Sequence, residues 1–263
     1  RTCDDPALLV DSSRLKSSPC QPPEGVRPLC FSTMSRRFQT LAEMVASLEA
    51  EGELFRFKEE VSPILEIAAM ADLESKSQAC HVSQAAMHFD PRHADRGGHA
   101  LLFENVAGSD FPLAINVFGS YHRMEQALGC DPALGFTEIA NRLADITAPK
   151  PPSGILDALA RLKMLAPLLR AGPKLKRSGP CQEVIQLTSR GEVDLRRLPI
   201  IKCWPLDGDP SAVGWSESPE ESGTAVGEGR YITFAGIHTI HADDRGKAKP
   251  PTHNIGMYRV QLI

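Results

Sequence analysis

The chain has 263 residues, of which 24% are charged and 42% hydrophobic, an ordinary globular composition. Lys and Arg (29 residues) against Asp and Glu (33 residues) leave a formal net charge of −4, which excludes a basic nucleic-acid-binding surface and a polyanionic tail. Because no run of about eighteen uncharged apolar residues occurs, the sequence predicts no integral membrane segment.

Seven cysteines are scattered along the chain without any Cys-x-x-Cys pair. Their number is odd, and no histidine stands at zinc-finger spacing from any of them. This pattern favours reduced, mostly buried thiols in a reducing compartment, and we predict a cytoplasmic protein.

Residues 1–33 are predicted to be a disordered extension, or translated upstream sequence. They are rich in Ser and Pro, contain no continuous apolar block, and precede the first helical periodicity, which begins after Met34. We expect them to contribute nothing to the fold.

Residues 34–130 are predicted to form an N-terminal α/β domain. Capping-box spacing of Thr40 and Glu43 opens a helix that Gly52 ends, and Ser62-Pro63 is expected to open the next helix. A further helix runs from an N-cap at Ser120 to Gly129. Short strands are predicted over 54–57, 100–103 and 113–117. The polar stretch 88–99 reads as a loop, and the nearby histidines are expected to be solvated: His81, His88, His93 and His99.

Residues 131–179 are predicted to be a helical linker region, with helices over 136–146 and 155–170 joined by the proline-rich segment 149–154. After Pro173 the periodicity changes to two, so residues 180–263 are predicted to be β-rich. The expected strands are 184–187, 198–204, 231–240 and 254–263, with a turn over 243–246.

Generic catalytic signatures are missing: the sequence has no Gly-x-Gly-x-x-Gly, phosphate loop, Gly-x-Ser-x-Gly or His-Glu-x-x-His. His238 and His241 are three residues apart on a predicted strand, so they should point to opposite faces. In the last strand, Met257 and Arg259 share one face. An arginine facing inward there would need an anionic partner, and the alternative is an exposed arginine on an edge strand.

The segment Asn-Ile-Gly-Met-Tyr-Arg-Val-Gln, residues 254–261, resembles the Asn-x-Gly-x-Tyr-Arg-x-Gln signature of the UbiD family of decarboxylases, which use prenylated FMN. Further blocks resemble the family in the same order along residues 38–263. They are 41–56, 65–68, 101–106, 116–120, 180–184, 194–200, 204–205 and 231–233.

The resemblance implies an α+β fold, in which the N-terminal α/β domain precedes the first part of a split β-barrel related to flavin reductases, residues 180–263. It implies that Met257, Tyr258 and Arg259 bind prenylated FMN. It also implies a divalent metal ion on the cofactor phosphate, Mn²⁺ being the expected one and K⁺ a further candidate ion, with Asn254 as the first metal ligand. Arg259 aligns with the family's catalytic arginine, which holds the substrate carboxylate. Asn254 and Arg259 lie on opposite faces of a regular strand, so one site can use both only if Asn254 lies at the strand mouth.

The resemblance also implies the reaction and the partners. The expected activity is non-oxidative decarboxylation, or its reverse, of an aromatic or α,β-unsaturated carboxylic acid, with a 4-hydroxybenzoate-type precursor of ubiquinone biosynthesis as the first candidate. A flavin prenyltransferase would supply the cofactor, and a homo-oligomer is expected. A polyprenylated substrate would place the protein at the membrane periphery.

Two departures from the family pattern bear on activity. Residues 211–229 form an extra Ser-, Glu- and Gly-rich stretch, which we interpret as a solvated insertion. The family's remaining metal ligands, its Arg-Gly-Gly flavin loop and its acidic proton donor would all follow Ile263. We therefore expect an incomplete decarboxylase that is inactive alone. The alternatives are a non-catalytic remnant, or one half of a two-chain decarboxylase that keeps only oligomerisation and partial cofactor-binding surfaces.

Overall fold

The structure is a computed structural model, and it describes residues 38, 40–147, 154, 177–208, 229–247 and 250–261. The predicted extension 1–33, the predicted helix 155–170 and nearly all of the insertion 211–229 lie outside the described residues. Within the described ranges, no helix has both the length and the apolar character that spanning a bilayer requires.

The described α-helices and β-strands divide into an N-terminal group and a C-terminal strand pair. The helices are α1 (Leu41–Ala50), α2 (Glu66–Ser75), α3 (Gln84–Phe89), α4 (Tyr121–Leu128) and α5 (Phe136–Thr147). The strands are β1 (Leu54–Val61), β2 (Ala100–Val106), β3 (Leu113–Ile115), β4 (Tyr231–Ile240) and β5 (His253–Gln261).

A three-stranded mixed sheet forms the centre of the N-terminal group. Strand β2 lies in the middle, parallel to β1 and antiparallel to β3. Side chains alternate along β2, so Leu101 and Phe103 join one buried cluster with Ile67 and Met70 of α2. On the other face, Ala100 packs with a second cluster that includes Leu48 of α1. The sheet is therefore covered on both faces by helices.

Three helix boundaries follow the sequence signals closely. Thr40 accepts a hydrogen bond from the Glu43 amide at the start of α1, and Ser120 accepts one from the Arg123 amide at the start of α4. Gly129 ends α4 in the left-handed conformation, with φ of 66°, which glycine adopts without a steric penalty. Local capping chemistry was sufficient to place these ends.

The predicted start of α2 at Ser62-Pro63 is wrong, because the helix begins at Glu66. The intervening backbone pairs with Lys202 instead: the Lys202 amide donates to the Pro63 carbonyl, and the Leu65 amide donates to the Lys202 carbonyl. Leu65 then turns into the helix with φ of 66°. A contact with a residue far along the chain has overridden the local N-terminal signal.

The prediction of a solvated histidine loop is also wrong in part. Helix α3 occupies the beginning of the predicted loop. His99 is only 6% exposed, and its Nδ1 lies 2.8 Å from Glu74 Oε1. Burial raises the pKa of Glu74, but the hydrogen bonds from His99 outweigh it, so that the pKa of Glu74 is lowered.

The C-terminal predictions have mixed outcomes. Strands β4 and β5 confirm the predictions over 231–240 and 254–263 within the described residues. The prediction over 184–187 is wrong, because these residues are exposed and form no strand. Of the run 198–204, only Ile201 and Lys202 form isolated bridges. Ile201 is nevertheless buried in the core with Val61 and Ile67, so this segment joins the two groups.

The mixed α and β character that the sequence predicted is confirmed. Among the described residues, the C-terminal sheet consists of β4 and β5 alone. The split β-barrel and the division of the chain into four segments therefore remain predictions. Cys80, Cys130 and Cys203 are thiols rather than disulfides, and all three are partly buried.

Candidate functional site

The β4–β5 hairpin carries the residues that the sequence marked as a site. The two strands are antiparallel, and their register is interrupted where Ile232 pairs with Val260 but Ala235 pairs with Tyr258. Two residues of β4 thus lie opposite one residue of β5, which is the arrangement of a β-bulge. The single residue is Arg259. Bulges redirect side chains, and here the irregularity lies beside the predicted catalytic arginine.

The Arg259 guanidinium has a two-pronged contact with Asp207. Its Nη1 donates to Oδ2 at 3.2 Å and its Nη2 to Oδ1 at 3.1 Å. The Cζ atom lies 4.0 Å from the centre of the Tyr231 ring, a cation–π distance. The Arg259 side chain is 45% exposed, whereas that of Asp207 is 14% exposed. The ring and the carboxylate orient an arginine that solvent can still reach.

Cys203 lies close enough to this pair for their charges to act on its thiol. Burial raises the pKa of Cys203, Asp207 raises it further, and Arg259 opposes the two. The net shift favours the thiol over the thiolate. Cys203 is therefore no activated nucleophile, and the chemistry available here is anion binding by Arg259.

Met257 and Tyr258 lie on the same strand and are largely exposed, at 64% and 53%. Their side chains point to opposite faces of β5, and Met257 shares the face of Arg259. The structure thus brings Met257 and Arg259 to one face and places Tyr258 on the other.

Asn254 lies near the start of β5, paired with Thr239 inside the strand. The condition for Asn254 and Arg259 to serve one site, that Asn254 lies beyond the regular pleat, is therefore not met, and the two residues are five positions apart. That distance along a strand is about 16 Å. Among the described residues, no group of three carboxylate, imidazole or thiol side chains forms beside Asn254. One amide oxygen does not fit a divalent cation, which needs several oxygen ligands, so no step is assigned to a metal at this position.

A second cluster of polar side chains lies in the N-terminal group. Glu53 and Arg123 are both fully buried, and Arg123 Nη1 donates to Glu53 Oε2 at 2.6 Å. The guanidinium also donates to the carbonyls of Gly97 and Gly98. A Cβ atom at position 97 would lie 2.3 Å from the Gly119 carbonyl oxygen, so only glycine allows this close approach.

Two histidines complete this cluster from different elements. His81 Nδ1 lies 2.8 Å from Glu53 Oε1, and the His81 and His122 rings are 5.2 Å apart. Burial raises the pKa of Glu53, but the hydrogen bonds from His81 and Arg123, with the charges of Arg123 and His122, outweigh it and lower that pKa. The bond to Glu53 raises the pKa of His81, whereas burial lowers the pKa of His122.

Sequence reasoning missed most of these partners. Asp207 and Tyr231 were not singled out, although Asp207 stands in an Asp-Gly turn and Tyr231 begins a predicted strand. Glu53 gave one signal, an acidic residue directly after Gly52, the predicted end of the first helix. His81 and His122 gave none, because their partner is 28 or more residues away.

Residues 45–143 match the N-terminal domain of 3-octaprenyl-4-hydroxybenzoate carboxy-lyase, and residues 174–263 match its Rift-related domain. The two matches follow each other in the same order and together cover most of the chain. The chain belongs to the UbiD family. The resemblance carried by residues 254–261 and by the blocks before them is thereby confirmed.

Relatives show how much of a longer protein this chain matches. An uncharacterised protein of Aquifex aeolicus (strain VF5) is 32% identical over 230 residues, which are 88% of this chain and 37% of the relative. The vanillic acid decarboxylase of Sedimentibacter hydroxybenzoicus in its closed form is 23% identical, with a TM-score of 0.51 over 87% of this chain and 36% of that one. The apo 3,4-dihydroxybenzoic acid decarboxylase of Klebsiella pneumoniae is 16% identical, with a TM-score of 0.50 over 84% and 34%.

The chain thus spans little more than a third of the length of these relatives. At these identities, the two solved structures support the fold and do not transfer an activity to this chain.

Proposed function

We propose that this chain carries the carboxylate-binding part of a UbiD-type site for non-oxidative decarboxylation, or its reverse, of an aromatic or α,β-unsaturated carboxylic acid. The observation that supports the proposal most is the two-pronged contact between Arg259 and Asp207. Planar guanidinium groups bind carboxylates through two parallel N–H···O bonds, which give direction as well as affinity. A substrate carboxylate has the same shape as the Asp207 side chain that Arg259 already binds.

Arg259 has donors left for a second carboxylate. A guanidinium has five N–H donors, and Asp207 accepts from two of them. Because the arginine side chain is 45% exposed while Asp207 is mostly covered, the open side of the guanidinium faces the solvent. In this arrangement Asp207 and Tyr231 are positioning residues, and Arg259 is the residue that contacts the substrate.

The cofactor proposed for the reaction is prenylated FMN. When bound, it would act as an electron sink for the electron pair that the departing CO₂ leaves on the substrate. The residues of this chain then have a placement role: Arg259 orients the carboxylate, and the exposed apolar surface of Met257 and Tyr258 is available to a flat ring system. A divalent metal on the cofactor phosphate would need more ligands than Asn254 provides, and no role in the reaction is derived from it.

Binding of a carboxylate can be tested on the chain itself, without cofactor. Labelled protein is titrated with 4-hydroxybenzoate and with 4-hydroxybenzamide, a neutral ligand of the same shape, and the β4–β5 resonances are followed by NMR. We expect the acid to bind and the amide not to bind. Arg259→Lys keeps the charge but loses the planar fork, so its affinity for the acid should fall about tenfold or more. Arg56→Lys, a half-exposed arginine paired with Glu49 and Glu104, is the matched control and should bind normally.

Equal binding of the acid and the amide, or normal binding by Arg259→Lys, would contradict the proposal. Turnover is tested separately, by co-expressing the chain with a flavin prenyltransferase and measuring CO₂ release from aromatic acids. If turnover is present in the wild type, it should fall about 100-fold or more in Arg259→Lys, because loss of substrate placement costs that much. Turnover by the chain alone would also overturn the expectation that it is inactive by itself.

A further inference from the structure

Glu53, His81 and His122 form a cluster that differs in place and in chemistry from the predicted site on β5. Each residue offers one ligand atom, and the three atoms lie within 4.8 Å of one another. Glu53 follows α1, His81 precedes α3, and His122 is in the first turn of α4. Among the residues that the structure describes, no other group of three such side chains is brought this close together.

The carboxylate of Glu53 is held in place before any ion arrives. Its Oε2 accepts from Arg123 at 2.6 Å, and the guanidinium is fixed in turn by the carbonyls of Gly97 and Gly98. The other oxygen, Oε1, faces His81 at 2.8 Å. Because a metal ligand is most effective when its orientation is set by an outer partner, the Arg123 contact gives Glu53 the support that a ligand carboxylate needs.

The charge of the surroundings also suits a cation. Glu51 and Glu53 are two carboxylates whose charges reach both imidazoles. With the imidazoles neutral, as metal ligands are, the only opposing charge among these side chains is that of Arg123. The pair of acidic side chains leaves an excess negative charge that a divalent ion would neutralise. His81 is half-exposed, so the cluster has a route to solvent although Glu53 itself is fully buried.

We propose that Glu53, His81 and His122 form a binding site for a transition metal ion of the zinc type. Imidazole ligands favour Zn²⁺, Co²⁺, Ni²⁺ and Cu²⁺ over Mg²⁺ and Ca²⁺, which prefer all-oxygen sites. Three protein ligands leave a fourth tetrahedral position for water. Bound metal would join the end of α1, the segment before α3 and the first turn of α4, which the hydrogen bonds of Glu53 already bring together.

The proposal is tested on the metal-free 263-residue chain by competition titration with a chromophoric Zn²⁺ chelator. We expect one tight site per chain, and a visible absorption band typical of tetrahedral coordination when Co²⁺ replaces Zn²⁺. His81→Ala and His122→Ala should each weaken Zn²⁺ binding about 100-fold or more, since loss of an outer-shell partner alone costs 10- to 100-fold. Both variants remove side chains that are not fully buried, and circular dichroism checks that they fold.

Two controls separate this site from adventitious binding by histidine. His93→Ala removes an exposed imidazole that contacts Asp90. The double variant His238→Ala/His253→Ala removes a pair whose ring nitrogens lie 3.4 Å apart on the hairpin, and the described residues offer this pair no third ligand. Both should bind Zn²⁺ as tightly as the wild type.

No tight Zn²⁺ binding by the wild type would overturn the proposal. Unchanged affinity in His81→Ala and His122→Ala would overturn it as well, as would loss of the site in the His238→Ala/His253→Ala variant. Because the titration uses neither flavin nor an aromatic acid, its outcome is independent of the carboxylate-binding proposal for Arg259.

Discussion

The N-terminal sheet and the β4–β5 hairpin contain similar side chains that differ greatly in their burial. In the sheet, Phe103 and Arg123 are both fully buried. In the hairpin, Phe234 is 63% exposed, and the Arg259 side chain is 45% exposed. The three-stranded sheet is covered by helices on both faces, whereas a two-stranded sheet has too little apolar area to bury its side chains.

The same contrast in burial distinguishes two arginine–carboxylate pairs. Both regions contain an arginine paired with a carboxylate, Arg123 with Glu53 and Arg259 with Asp207. The buried guanidinium donates to Glu53 and to backbone carbonyl groups and has no exposure to solvent. The exposed guanidinium keeps donors for a ligand. The comparison therefore supports a structural role for Arg123 and the binding role that we propose for Arg259.

The largest expected effect comes from matched phenylalanine substitutions. Phe103→Ala removes a fully buried ring that stacks on Phe57 at 5.0 Å, and it should lower the free energy of unfolding by about 3–5 kcal/mol. Phe234→Ala should change it by less than about 0.5 kcal/mol. Urea unfolding followed by circular dichroism measures both. Equal losses would show that the hairpin face is covered in solution, by another copy of the chain or another protein.

A matched pair of arginine substitutions tests the buried and exposed ion pairs. Arg123→Ala leaves Glu53 charged, buried and without its guanidinium partner, so it should cost about 3–5 kcal/mol. Arg259→Ala breaks a pair that is partly solvated and should cost less than about 1 kcal/mol. The measurement is the urea midpoint of each variant. A large loss for Arg259→Ala would mean that this arginine holds the hairpin together, which would weaken its assignment as a binding residue.

Helix caps should show a smaller difference between the regions. Ser120 is 1% exposed and accepts from the Arg123 amide at 3.2 Å, so Ser120→Ala should cost about 1 kcal/mol. Asp194→Ala removes a similar bond to the Arg196 amide, but at an exposed three-residue 3₁₀ helix, and should cost less than about 0.5 kcal/mol. Thermal unfolding of the two variants checks this order, and a reversal would contradict it.

The smallest expected effect is a pH dependence that comes from His81. Its hydrogen bond to Glu53 raises the pKa of His81 above the ordinary value of 6.5. Because the pKa of His81 is higher in the folded chain, protonated His81 contributes fully to stability below pH 6.5. This contribution is lost as the pH rises through the pKa of the folded state. In EDTA, the free energy of unfolding of His81→Gln, measured with urea, should therefore fall less between pH 6 and pH 8 than that of the wild type. The difference should be about 1 kcal/mol or less because His81 is half-exposed.

Phe234→Ala alters no titratable group and provides the control for that profile. It should keep the wild-type dependence on pH. If His81→Gln has the same dependence of stability on pH as the wild type, the contact between His81 and Glu53 contributes nothing measurable to stability. His81 would then remain a candidate metal ligand without a stabilising role.

The sequence by itself determined what depends on neighbours within a few residues. The capping side chains of Thr40 and Ser120, the glycine that ends α4 and the alternation along β4 and β5 all fixed local structure, because the groups that satisfy each other are close in the chain. The ordered motif that ends in residues 254–261 also fixed the family. Arg259 could be selected from that motif alone.

Only the tertiary structure decided which distant groups meet. Lys202 pairs with the backbone around Ile64 and delays the start of α2, which no local signal could indicate. Glu53, His81 and His122 come from three separate parts of the chain, and the sequence pattern around each of them says nothing about the other two. Asp207 reaches Arg259 across 52 residues of sequence. A propensity describes the cost of a local conformation, whereas the partner of a charged side chain is set by the packing of the whole chain.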